Sequence, residues 1–544
     1  MSAAIDERST DGPLVPTLPT RPISNPMKTP ALPGLLCLSL ISAAPAADKR
    51  PNLIVMLTDD QRVGTLTCYD AKCAIQTPNI DRLAKRGMRF DQAFVTTPIC
   101  CASRASILTG RYASNARVHE FKIALPEEVF EDSYPMHLKR AGYFIGQLGK
   151  YGVGIRPKEE IQFDVFDAQE GQGPAFRDCK GKKMHDAEWL TVKTEEFLDR
   201  VPQGRPFCVQ INYKEPHGSS EVAPEDDHLL DTHVFPRHPM DNEEQNLKLP
   251  EFVRKSFLGI AYRKEFNPGG DHNPFLRDYH EKIAAVDRSV GKILAMLETR
   301  GIADNTVIVY LSDHGVHFGE RRIYGKWTPY DASLRIPLLV SDPRPGAKRD
   351  AASARLVLNI DIAPTLLELA GIPVPGTMDG ASLVPLLKDD APVWRDRFFF
   401  EHYTSPAGMT YIPRNIGVRT ADAKFFRWID AQAGGVESLY DLRSDAMESN
   451  DLIRDPEKSA QAAELRAALD QWREKHPANY DYDVYGRRPG GLAPEIDWKK
   501  FAAARPKEYA RIKAQVEDMG VTWEQAMNDW ATRLQISSRS GYWY

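Results

Sequence analysis

Asn52-Leu53-Ile54-Val55-Met56-Leu57-Thr58, followed at once by Asp59-Asp60, is the stretch on which the reading of the fold turns. An almost unbroken apolar run of this length describes a strand covered on both faces, the usual state inside a parallel sheet. Further strand patterns lie at 143–148, 206–213, 306–312 and 336–341. Helical patterns alternate with them. Pro78 to Arg86 reads as a helix with Pro in its first turn. Asp278 to Arg300 carries Ile283, Val286, Val290, Ile293, Leu294 and Leu297 on one face and has Gly301 as its stop. This alternation predicts an α/β fold, a sheet sandwiched by helices.

Polar residues gather where such a sheet binds ligands. Asp59-Asp60, Lys150, His217 and Asp313-His314 each follow the carboxyl end of a predicted strand, the edge at which open α/β sheets place their sites. Two adjacent carboxylates repel unless a cation or protons compensate them, and on its own the Asp59-Asp60 pair also reads as a solvated turn at a strand end. A second cluster, Cys100-Cys101-Ala102-Ser103-Arg104 with Leu108-Thr109-Gly110-Arg111, sets a nucleophile four residues before a cation. The segment reads as a turn entering a short helix, whose N-terminal N–H groups attract anions.

The Cys100 cluster resembles the activation sequence of the type I, formylglycine-dependent sulfatases of the alkaline phosphatase superfamily, in which Cys-x-Pro/Ala-x-Arg is oxidised at Cys. Thr77-Pro78-Asn79-Ile80-Asp81, Asp379-Gly380-Ala381-Ser382-Leu383 and Leu439-Tyr440-Asp441-Leu442 extend the likeness in the family's order. The resemblance implies an alkaline phosphatase-like fold, a large mixed, mostly parallel sheet between helices with a smaller C-terminal α+β subdomain. It implies a sulfatase acting on a sulfated carbohydrate. Its site would use Cys100 as formylglycine, with Arg104, Lys150, His217 and Lys326 as catalytic residues. A calcium ion would be held by Asp59, Asp60, Asp313, His314 and residue 100. His217 would protonate the leaving alcohol, and a formylglycine-generating enzyme would be a maturation partner.

Two positions depart from the family pattern. His314 stands where Asn is common, as it does in iduronate sulfatase-like members. Gly152 stands where many relatives place a His, and the Gly149-Lys150-Tyr151 sequence is similar to the glucosamine-6-sulfatase branch. Alternatives within reach are a phosphonate monoester or phosphodiester hydrolase of the same superfamily, and a non-catalytic glycan-binding protein with Cys100 unconverted. Arg104→Ala and Lys326→Ala are expected to abolish turnover with little loss of fold.

The 544 residues carry a net charge of -5, with 27% charged residues of both signs, which gives no electrostatic case for nucleic acid. Residues 1–46 read as an extension and a signal peptide: Met27-Lys28, an apolar stretch from Leu32 to Ile41, then Ala44-Pro45-Ala46. Export to the periplasm or outside the cell is expected, without stable membrane insertion. That compartment permits disulfides, and Cys68 with Cys73 could close a small loop. The catalytic domain is expected over 50–387, the C-terminal subdomain with a small antiparallel sheet over 394–475, and an extension packing on the body over 476–544. Residues 218–275 read as a long irregular polar insertion of the kind that forms binding loops.

Overall fold

The computed structural model describes residues 50–477 apart from 120, 122, 157–159, 267–269, 389–392, 404–411 and 430–434, and residues 506, 510 and 513 singly. The expected leader, most of the 388–393 linker and nearly all of the 476–544 extension lie outside the described residues.

Strand β1 (Asn52–Thr58) forms over the bounds that its sequence predicts and is buried throughout. Its side chains feed two cores. Leu53, Val55 and Leu57 enter one, and Ile54 and Met56 the other. The other strands of the main sheet are β2 (Met88–Phe90), β3 (Phe144–Lys150), β4 (Val165–Gln169), β5 (Phe207–Asn212), β6 (Thr306–Ser312), β7 (Leu338–Ser341) and β8 (Ala351–Ser353). Their order is β8-β2-β7-β6-β1-β5-β3-β4. The run from β6 to β4 is parallel. β7 is antiparallel to both of its neighbours, so the sheet is mixed but mostly parallel.

Helices cover both faces. α1 (Pro78–Lys85), α3 (Asp186–Arg200) and α5 (Asn273–Thr299) close the second core with Leu83, Leu190, Phe197, Val286 and Ile293. α2 (Cys100–Thr109) and α6 (Ile362–Leu369) close the first. α5 begins five residues before the periodic face suggests, because Pro274 can occupy its first turn.

The 218–275 insertion is more ordered than its polar composition suggests. It contains helices Glu243–Lys248, Glu251–Arg254 and α4 (Phe257–Glu265). The Ser256 hydroxyl accepts from Leu258 N and caps α4. Phe257 and Ala261 pack toward Tyr324 and Trp327. Such short helices bounded by prolines give too few turns for a periodic signal.

Beyond the linker, β9 (Arg397–His402), β10 (Asn415–Thr420), β11 (Ala423–Trp428) and β12 (Glu437–Asp441) form an antiparallel sheet backed by α7 (Ser459–Lys475). Phe398, Phe425, Trp428, Leu469 and Trp472 belong to the same core as β1 and α2. The Asn415 side-chain amide donates to Trp327 O at 2.9 Å. Glu401 N donates to Thr96 O at 2.9 Å. The small sheet therefore braces segments on either side of the cysteine cluster.

Cys68, Cys73, Cys100, Cys179 and Cys208 are free thiols. Cys73 donates to Ile75 O at 2.9 Å instead of bridging Cys68. No helix among the described residues is long and apolar enough to cross a membrane.

Candidate active site

Sheet register brings the carboxylates together. β1 and β6 pair in step from Asn52 with Thr306 to Thr58 with Ser312, so Asp59 and Asp313 leave the sheet side by side. Asp313 N donates to Thr58 O at 3.0 Å. Successive strand residues would face opposite ways. Asp60 instead has φ of 63°, a left-handed conformation that Asp tolerates, and its N donates to Asp313 Oδ1 at 3.2 Å. On the other side Leu57 pairs with Asn212 of β5, and Gly149 of β3 pairs with Asn212 in turn. Lys150 ends β3, and His217 follows β5 after the cis Glu215–Pro216 bond.

Cys100 is the first residue of α2, and every residue of that helix is buried. Its Sγ lies 3.1 Å from Lys326 Nζ, 3.3 Å from His314 Nε2 and 3.6 Å from Asp59 Oδ1. One helical turn on, Arg104 pairs through Nε with Asp313 Oδ2 at 2.9 Å and donates to Lys150 O at 2.6 Å. Lys150 Nζ pairs with Asp59 Oδ2. Lys326 Nζ lies 2.8 Å from Asp60 Oδ1, and His314 Nδ1 lies 3.1 Å from the same oxygen. His217 Nε2 stands 3.5 Å from Asp60 Oδ2, at the partly open side of the cluster with 13% of its side chain exposed. Every residue expected at the site from the sequence thus comes together there.

Gly152 has a steric reason. Its φ is 78°, and a Cβ there would come within 2.3 Å of Arg104 Cδ. A histidine at 152 would displace the guanidinium from Asp313, so the departure goes with the position of Arg104. One neighbour was not foreseen: Gln172, after β4, donates through Nε2 to Asp59 Oδ2 at 3.3 Å. It stands in a polar loop without a motif, and only tertiary structure reveals it.

Burial by itself would raise the Asp59 carboxyl, but Lys150, His217, Arg104 and Lys326 hold it well below the usual carboxylate range. Asp60 is likewise lowered against burial, chiefly by Lys326. Burial works against the charge of Lys326, yet Asp60, Cys100, Asp59 and Asp313 keep it protonated, well above its ordinary value. Asp59, Asp60 and Lys326 are thus charged groups largely withdrawn from water.

The donor set suits a divalent cation. Asp59, Cys100, Asp313 and His314 offer ligand atoms within 4.8 Å of one another, as do Asp59, Asp60 and His217. Asp59, Asp60 and Asp313 supply carboxylate oxygens, the ligands a hard ion prefers. The ionised carboxylates are balanced here by Lys150 and Lys326, and those amines would be free to meet an anion once a cation took up the balancing.

Fold and site together define a metal-dependent hydrolase of oxyanion esters. The sulfatase family model matches residues 51–372, and a second, for the C-terminal region of N-sulphoglucosamine sulphohydrolase, matches 319–475. The chain belongs to the sulfatase family and is a sulfuric ester hydrolase. An N-acetylglucosamine-6-O-sulfatase of Bacteroides thetaiotaomicron is 30% identical over 529 residues, covering 84% of this chain and 92% of its own. A solved structure in complex with its substrate D-glucosamine-2-N,6-O-disulfate superposes with a TM-score of 0.70 at 26% identity, covering 79% of this chain and 99% of that one. A phosphonate monoester hydrolase from Silicibacter pomeroyi shares the fold, with a TM-score of 0.66 at 22% identity over 79% of this chain and 96% of its own.

Proposed function

We propose that this sulfatase removes a sulfate monoester from a sulfated carbohydrate, with a 6-O-sulfated glucosamine-type sugar as the first candidate. The observation that carries the reading is the gathering of Lys326, Lys150 and Arg104 around Cys100 and three carboxylates. The sugar rests on the likeness to the Bacteroides sulfatase and to the glucosamine-disulfate complex.

Formylglycine, made from Cys100 by a formylglycine-generating enzyme, would supply a hydrated aldehyde with one hydroxyl to attack sulfur and a second to release the sulfate. A calcium ion on Asp59, Asp60, Asp313, His314 and residue 100 would supply positive charge beside the ester. Lys326 and Lys150 spread the charge that develops on the ester oxygens, in a site already organised for it. Arg104, with no exposed surface, holds Asp313 in place and stiffens the end of β3 through Lys150 O. His217 accepts at Nδ1 from Ser219 N at 3.1 Å, so its ring proton sits on Nε2, toward Asp60. Burial pushes this imidazole down to about 3, and an anion arriving beside Nε2 opposes that effect. The proton for the leaving alcohol would then be taken up with the substrate.

The Met27–Ala46 pattern supports export to the periplasm or beyond, and the charge balance supports no nucleic-acid partner. The test compares release of sulfate from N-acetylglucosamine 6-sulfate, from other sulfated sugars and from an aryl sulfate with cleavage of an aryl phosphonate. Mass spectrometry of the Cys100 peptide establishes conversion in the same sample. Sulfated-sugar turnover at the highest kcat/KM is the expected result. Faster phosphonate cleavage would overturn it, as would binding of the sugar without turnover by converted protein.

A further inference from the structure

Gln172 lies between β4 and the short strand Phe176–Cys179, half-buried, in a loop fastened from two sides. Its own amide donates to Asp59 Oδ2 at 3.3 Å. The carbonyl of the next residue, Gly173, accepts from the buried Lys214 Nζ at 3.2 Å, three residues before His217. The amide orientation follows from chemistry, since the swapped form would set a carbonyl against a carboxylate. Its Oε1 is buried and has no hydrogen-bond partner among the described residues.

The two oxygens of Asp59 have different neighbours. Oδ1 faces Cys100 Sγ at 3.6 Å, while Oδ2 takes Lys150 and Gln172, with Arg104 Nη2 further off at 3.7 Å. A carboxylate turns easily about its last torsion, and donors on one oxygen fix its plane. If Lys150 leaves Oδ2 to meet the sulfate, as the proposed function requires, Arg104 stays 3.7 Å away and bonded to Asp313, so a closer, neutral donor is needed to hold the plane of Asp59 without competing for the ion. Gln172 is such a donor. We propose that Gln172 is a positioning residue of the metal centre, holding Asp59 Oδ2 so that Oδ1 stays turned toward residue 100 and the bound cation. The inference rests on the metal-dependent sulfatase reading above.

Calcium chloride titrated into EDTA-treated protein, with kcat, KM and the melting temperature in EDTA, tests this in Gln172→Ala, Gln172→Asn and Gln172→Glu. Loss of an outer-shell partner weakens metal binding by about 10–100-fold. Gln172→Ala should therefore bind calcium at least about tenfold more weakly and lose about tenfold in kcat, with KM within about twofold and the EDTA melting temperature unchanged. Gln172→Asn keeps the donor on a shorter arm and should fall between. Gln172→Glu, which sets an acceptor against Asp59, should do no better than alanine. Calcium affinity and kcat of Gln172→Ala within about twofold of the parent would overturn the proposal. So would a lowered melting temperature in EDTA with unchanged calcium affinity. Converted parent protein that neither takes up calcium nor releases sulfate would instead defeat the reading of the enzyme, and this inference with it.

Discussion

Arg104 illustrates how one side chain can be legible in type and opaque in role. Its place four residues after Cys100 marks it as a site cation, but nothing in the sequence says that it has no exposed surface or that its partners are Asp313 and Lys150 O. Removing one member of a buried ion pair typically costs about 3–5 kcal/mol, because the other charge is stranded. Arg104→Ala should therefore lose stability of that order, measured by denaturant melts in EDTA, as well as turnover. The sequence alone leads to the expectation of little loss of fold, and the same melts decide between the two. Lys326→Ala strands Asp60 as Arg104→Ala strands Asp313, so it should lower kcat by at least about a hundredfold and cost stability of the same order. A Lys326→Ala protein that melts with the parent would show that His314 alone balances Asp60. Gly152 reads in the sequence as a missing base, whereas in space it is the room that Arg104 occupies. Gly152→Ala puts a methyl into that room at a left-handed backbone position, and a displacement near 1 Å can cost about a hundredfold in rate. A Gly152→Ala enzyme with parental kcat would show that Arg104 tolerates displacement.

At the level of elements, the strands that carry the chemistry were the readable ones. β1 and β6 appear at their predicted bounds because central parallel strands are apolar on both faces and stop at charged residues. Their shared register, which no single segment encodes, is what sets Asp59 beside Asp313. β2 and β8, three residues each, are too short to have a period, and Gln172 reaches Asp59 from a loop whose path depends on β4 pairing with β3. β9 holds a further titrating group. Glu401 has no exposed surface; burial pushes it up to about 7, against the opposing effects of Ser114, Arg473 and His476. The folded protein holds this proton more tightly than the unfolded chain, whose glutamates titrate near 4.5. Glu401 thus contributes stability that is full below about 4.5 and is lost as pH rises toward 7. Glu401→Gln should remove that slope, melting above the parent at pH 8 by up to about 3 kcal/mol of stability and no higher than the parent at pH 4. A difference of the same size at both pH values would show that the effect is not proton linkage.

Across the whole molecule, the metal centre ties together segments from β1, α2 and β6, so ion binding should register as global stability. A cation at 100 times its dissociation constant adds about 2.7 kcal/mol to a fold that binds it only when native. Calcium should raise the melting temperature of EDTA-treated protein by several degrees, and a melting curve indifferent to calcium and EDTA would count against the site. The small sheet contributes more than a cover, because its Asn415 and Glu401 clamp Trp327 and Thr96 close to the reactive residues. Those clamps are made late in synthesis. Cys100 is 2% exposed in the finished fold, so an enzyme acting on its thiol needs the chain before this region has packed. At about 5–20 residues per second, the roughly 300 residues between Cys100 and Asn415 take on the order of 15–60 s to emerge. Any chemistry done to that thiol by a second protein has this interval on the nascent chain as its window, and slowing translation would lengthen it.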